Sequence, residues 1–216
     1  MSVTITFGSP QSPKLGLTPY RSLYQAVPPV VEPVSLSEAR RQCRIDTGDE
    51  DVLLQTYITT ARQYCEDILD ISTITQAWEA RYDTFPIWEL ILPRPPMQPS
   101  NVTITYRNEA GQNQTLTSAA GQFQADHYVT PGRVYPLYNG TWPAVRGDEN
   151  SVVVRYTAGY GDSGQSVPPV LRQAILLLVA HWHTMRQPVV TGYSQVLPVP
   201  KTFETLLAAA GWAGYR

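Results

Sequence analysis

Two amphipathic stretches within residues 35–69 and one almost wholly apolar stretch at 168–187 lie on either side of a long run, residues 74–164, that reads as β-structure. A helical stripe needs a partner surface, so the late stretch must return across the β-run to cover the early pair. The spacing at 49–69 is the clearest. Leu53, Leu54, Tyr57, Ile58, Ala61, Tyr64, Cys65, Ile68 and Leu69 recur on one helix face, with Asp49, Glu50, Asp51, Arg62, Gln63, Glu66 and Asp67 between them. Residues 168–187 carry Val170, Leu171, Ala174, Ile175, Leu176, Leu177, Leu178, Val179, Trp182 and Met185 around most of the circumference, which makes this helix the centre of the bundle.

The helix starts are written in the sequence. Ser35-Leu36-Ser37-Glu38 has capping-box spacing, and Thr47-Gly48-Asp49-Glu50 repeats it, with acids placed at the positive end of the second helix. The first helix is expected to end near Ile45, giving a helix–turn–helix hairpin. From Ile74 the period changes to two. Strand-like runs occupy 76–82, 88–92, 102–106, 132–137 and 151–156, with Asn108–Gly111 as a hairpin loop and Pro93–Pro99 as an extended connector. Five or six such strands make an antiparallel sheet or small sandwich. The expected class is α+β: a small α-helical bundle with an inserted antiparallel β-domain and extended N- and C-terminal arms. Its parts are an N-terminal arm (1–34), a helical core (35–73 and 165–187), the inserted β-domain (74–164) and a C-terminal segment (188–216). The arm is proline-rich, with Pro10, Pro13, Pro19, Pro28, Pro29 and Pro33, and needs another surface to lie on.

Composition removes several functions. A hydrophobic content of 43% supports a real core, while a formal charge of −2 gives no clustered cations for holding nucleic-acid phosphates. Cys43 and Cys65 fall on apolar helix sides, where a free thiol acts as a small buried hydrophobe, and no export signal points to an oxidising compartment. No membrane segment is expected, because Arg172, Gln173, His181 and His183 interrupt the late helix. The expectation is a soluble, intracellular protein. His181 and His183 point apart on a helix and cannot share a metal, His127 beside Asp126 has no nucleophile, and Ala158–Gly164 lacks the ending of a phosphate loop. No enzyme, metal site or cofactor is expected. The apolar tail either packs back on the helices or docks on a partner.

Four segments together resemble a known group: Pro33-Val34-Ser35-Leu36-Ser37-Glu38-Ala39, the Ile45-Asp46 to Leu54 turn, Tyr57–Glu66, and Val167-Pro168-Pro169 through Trp182. In this order they resemble the head-to-tail connector, or adaptor, proteins of long-tailed bacteriophages, over about residues 33 to 187. The resemblance implies a structural virion protein: a ring of identical subunits, usually a dodecamer, in the neck between capsid and tail, assembled in the host cytoplasm. It would bind the portal protein on one side and a stopper or tail-completion protein on the other, with double-stranded DNA passing through its lumen. On that reading Tyr193, Leu197, Phe203, Leu206, Leu207, Trp212 and Tyr215 are the expected portal-docking residues. Two alternatives stand beside it. One is a stopper or tail-completion neck protein. The other is a β-sandwich ligand-binding module on a helical stem, with Trp78, Trp88, Tyr135, Tyr138 and Trp142 forming an aromatic platform.

Overall fold

The computed structural model describes residues 20–185 and 201–210. Among these the elements run β1 (Ser22–Val27), α1 (Leu36–Cys43), α2 (Asp51–Leu69), β2 (Gln76–Tyr82), β3 (Leu90–Ile91), β4 (Thr103–Arg107), β5 (Asn113–Thr117), β6 (Gln124–Asp126), β7 (Arg133–Tyr135), β8 (Val152–Ala158), α3 (Pro169–Thr184) and α4 (Lys201–Ala210). The class is α+β, and both sheets are antiparallel.

α1 begins at the expected capping box. The Ser35 hydroxyl accepts from the Glu38 amide at 3.3 Å, and the Ser35 amide donates to Glu38 Oε2 at 2.8 Å. Arg44 ends the helix in the left-handed region at φ 58°, slightly before the expected Ile45. The second box does not form. The N-cap of α2 is Glu50, which has no side-chain cap; its carboxylate meets His183 of α3, and the next one, Asp51, makes a forked pair with Arg40 of α1. The α1–α2 turn is therefore fixed between helices and not within one.

Leu54, Ile58, Ala61 and Cys65 of α2 pack against Ala174, Ile175, Leu178 and Val179 of α3, as the two stripes require. Each such aliphatic side chain contributes roughly 1.5–3 kcal/mol on burial. Trp182 closes one end, with its ring centroid 6.1 Å from Tyr57 and 6.4 Å from Tyr64. At the same end His183 Nε2 lies 2.7 Å from Glu50 Oε2, tying the last turn of α3 to the first of α2. Both cysteines are free, and burial pushes the Cys65 thiol up to about 12.

The larger sheet has the order β1-β2-β8-β4-β5 and the smaller β3-β7-β6. Alternate residues of β2 (Trp78, Ala80, Tyr82) and β8 (Val152, Val154, Tyr156) face inward, where they meet Leu90, Leu92 and Val134 of the smaller sheet. Two sheets sharing one apolar layer make a sandwich.

Three strands differ from expectation. β5 and β6 are polar, Asn-Gln-Thr-Leu-Thr and Gln-Ala-Asp, and carry little apolar period to read. β1 falls in what the sequence presents as an extended arm. It pairs antiparallel with β2, and its Leu23 packs on the sandwich core, before Pro28-Pro29 ends the strand. The rest of that arm, residues 1–19, lies outside the described residues.

Candidate interaction surfaces

Where the helices meet the sandwich, charge is used inwardly. Arg62 and Glu66 stand one turn apart on α2 and are only 5% and 4% exposed. Arg62 Nη1 donates to Glu66 Oε2 at 2.7 Å and Nε to Glu32 Oε2 at 2.8 Å. The other Glu66 oxygen accepts from the Thr73 amide at 2.8 Å, the Thr73 hydroxyl at 2.7 Å and Gln76 Nε2 at 3.0 Å. Gln76 opens β2, and its side-chain oxygen accepts from Gln25 of β1. A buried ion pair persists when its remaining lone pairs are satisfied, and here they are. The network joins α2, the segment before α1 and the sheet.

Two further arginines extend the junction. Arg94 donates to the Glu66 carbonyl and to Asp67 Oδ1, both at 2.8 Å, and sits 5.4 Å over the Trp78 ring. Arg172 of α3 donates to the Pro33 carbonyl at 3.0 Å and to Glu38 Oε1 at 2.5 Å. The Ala158–Gly164 stretch is close-packed at its start and exposed at Asp162 and Ser163. Gly159 has φ 130°, and a side chain there would stand 2.5 Å from the Ile74 carbonyl. No cluster of three metal-ligating side chains occurs among the described residues.

Exposed apolar groups occur on α2 (Val52, 78%) and before α1 (Val30, 91%), and they gather at one part of the sandwich. Ile87 and Trp88, before β3, are 80% and 74% exposed, and Tyr138, after β7, is 90% exposed. The strands they flank, β3 and β7, pair antiparallel through Leu90 and Val134. Beside them is a shallow hollow of about 340 Å³ lined by Phe85, Pro86, Ile87, Trp142, Pro143 and Val145. Phe85 and Trp142 stack at 4.7 Å and pack on the core, while Trp78 is buried and donates to Ser72 Oγ at 2.9 Å. Of the five aromatics considered as a platform, Trp88 and Tyr138 are strongly exposed, Tyr135 is half-buried, and Trp78 and Trp142 serve packing. The sequence names Trp88 and Tyr138 among the platform candidates, and Ile87 is the exposed residue it leaves out. The available signal was Pro86-Ile87-Trp88, apolar residues in a loop with no strand period to bury them.

The expected portal-docking residues separate into two groups. Phe203 and Leu207 are buried in the helical core, Leu206 packs against it, and Phe203 stacks on Tyr64 at 5.9 Å. In this fold these three residues pack in the helical core. The physical reason is that α1 and α2 leave a side of the apolar α3 uncovered, and α4 covers it. Tyr193, Leu197, Trp212 and Tyr215 lie outside the described residues.

A family model described as head completion protein matches residues 33–192. The fold is similar to a chain in the virion of a native gene transfer agent particle, with a TM-score of 0.69 at 20% identity, covering 87% of this chain and 93% of that one. It is similar as well to chains in the neck of the empty particle computed with C6 symmetry and of the native particle computed with C12 symmetry. The TM-scores are 0.68 and 0.62, each at 20% identity and covering 86% of this chain and 94% of the other. No curated protein matches the chain in sequence.

Proposed function

We propose that this chain, which belongs to the head completion protein family, is a ring-forming connector in the neck of a phage-like particle, set between the portal and the next neck or tail protein. Head completion proteins are structural, and the chain is not an enzyme. The observation that carries the proposal is the extent of the likeness. It covers 86% of this chain and 94% of each of two chains that belong to the neck of a particle, and the family model spans residues 33–192. The C12 symmetry of one of those necks favours twelve subunits here.

Passage of double-stranded DNA through the ring fits the charge distribution. A lumen that must release DNA is better without clustered phosphate-binding cations. Arg62, Arg94, Arg133 and Arg172 are each held by a carboxylate within 3.5 Å, and the formal charge is −2. With Phe203 and Leu207 holding α4 to the core, portal docking falls to the segments on either side of it, which carry Tyr193, Leu197, Trp212 and Tyr215.

The test is to purify the chain alone and with its portal and measure the mass of each assembly. The expected result is a closed ring on the portal, lost in Trp212→Ala/Tyr215→Ala without loss of folding. A chain that stays monomeric with portal present would overturn the proposal.

A further inference from the structure

The two edges of the five-stranded sheet are unequal. β1, at one edge, is blunted in the ways that keep edges from pairing: a bulge between Gln25 and Val27, Pro28-Pro29 directly after it, and Arg21 held by Asp83 and Glu149 directly before. β5, at the other edge, has none of these. Asn113–Thr117 contains no charge and no proline, and its pairing with β4 is regular from Thr103↔Thr117 to Arg107↔Asn113. Among the described residues no strand pairs with its outer side.

The hydrogen bonds tell which backbone groups face out. The Ser118 amide donates to the Val102 carbonyl, toward β4, whereas the Thr117 amide donates to Gln122 Oε1, away from the ladder. Since successive residues of a strand alternate, Asn113 and Thr115 turn their N–H and C=O groups to the free edge. The two faces beside that edge differ. Thr103, Thr105, Thr115 and Thr117 share the outer face, and Ile104 and Leu116 the face toward the core.

The chain itself contains a complementary sequence. Val3-Thr4-Ile5-Thr6-Phe7 alternates β-branched and aromatic residues with threonine, carries no charge, and is joined to β1 by residues 8–21. We propose that the free edge of β5 receives the Val3–Phe7 segment of a neighbouring copy as a sixth strand. The proposal rests on the ring reading above. With Thr4 and Thr6 on the threonine face, Val3, Ile5 and Phe7 fall beside Leu116 at the rim of the sandwich core. The link of residues 8–21 is long enough to cross the sheet, so the choice of a neighbour over the same chain comes from the ring reading. The arm leaves from the β1 edge, across the full sheet from its own β5, and copies placed side by side bring the β1 edge of one to the β5 edge of the next. Such a head-to-tail contact closes into a ring when its rotation does.

Cross-linking tests this directly and does not require a closed ring. Thr115→Cys protein mixed with Thr4→Cys or Thr6→Cys protein under mild oxidation is expected to give covalent heterodimers, by pairing across adjacent strands. No heterodimer with either partner, or a bridge formed only within one chain when both cysteines are placed on it, would overturn the proposal. Thr115→Pro removes an outward amide that the sheet does not use, so it is expected to fold as wild type while self-association weakens about tenfold. If Thr115→Pro fails to fold, Ile5→Asp gives the same readout from the other strand. Unchanged association in Ile5→Asp sinks the strand exchange and leaves the ring reading, judged by mass with portal, intact.

Discussion

In the helical core α3 is contacted by α1, α2 and α4, so its apolar surface is covered by the chain's own elements. The sandwich is less closed. Its smaller sheet has three short strands against five, and it leaves Ile87, Trp88 and Tyr138 exposed and the β5 edge unblunted. A region that has covered itself contributes stability, whereas one that has not presents surfaces to other molecules. The covered centre, α3, has the first task and the sandwich has the open edge, while α2 keeps Val52 and Ile68 exposed on its outer side; the contrast can be broken at three places.

The largest effect is expected in the helical core. Leu178 is fully buried against α2, while Leu177 beside it is only half-buried. Leu178→Asp places an unpaired charge among α2 side chains and should cost several kcal/mol, enough to unfold a domain of ordinary stability. Leu177→Asp should cost clearly less. Thermal melts of the two variants that were equal, or a Leu178→Asp melt matching wild type, would show that α3 is not the covered centre.

The next effect sits at the junction. Arg62→Ala leaves Glu66 buried without its ionic partner and frees Glu32, a change of about 3–5 kcal/mol for a buried pair. Because this network joins α2 to β1 and β2, its loss should also let the two regions melt separately. Calorimetry that shows one unsplit transition at the wild-type temperature would mean that the regions are coupled by other contacts.

How far the sequence shows this arrangement depends on how many residues each signal is spread over. The α2 stripe repeats through five turns and the all-round apolarity of α3 through four, so their pairing is legible despite their separation in the chain. The Ser35–Glu38 box is legible because both of its partners lie within four residues. Thr47–Glu50 has the same local pattern and does not form, and its acid, Glu50, is instead met by His183 from another helix. β5 and β6 are short and mostly polar, β1 lies in a proline-rich arm, and the positions of all three are set by neighbours distant in sequence. Phe203 and Leu207 look like partner anchors for a related reason. An apolar stripe on a short helix says that it will be buried but not in which molecule. The free edge of β5 is invisible without the sheet order.

The smallest effect tests the helical side's own capping. Glu38 accepts from the Ser35 amide, the chief cause of a carboxyl held below its ordinary value of 4.5, and Arg172 adds to the shift despite partial burial, which opposes it. A carboxylate depressed in the folded state contributes stability that is present above the unfolded value and is lost as pH falls through the folded one. Glu38→Gln retains the shape but removes the charge, so it should cost about 1 kcal/mol near neutral pH and almost nothing well below pH 4. Denaturant unfolding of wild type and variant at both pH values measures the difference. A gap that widened on acidification would mean that Glu38 is more stably protonated in the fold, and that the charge at the start of α1 is not what holds α3 to it.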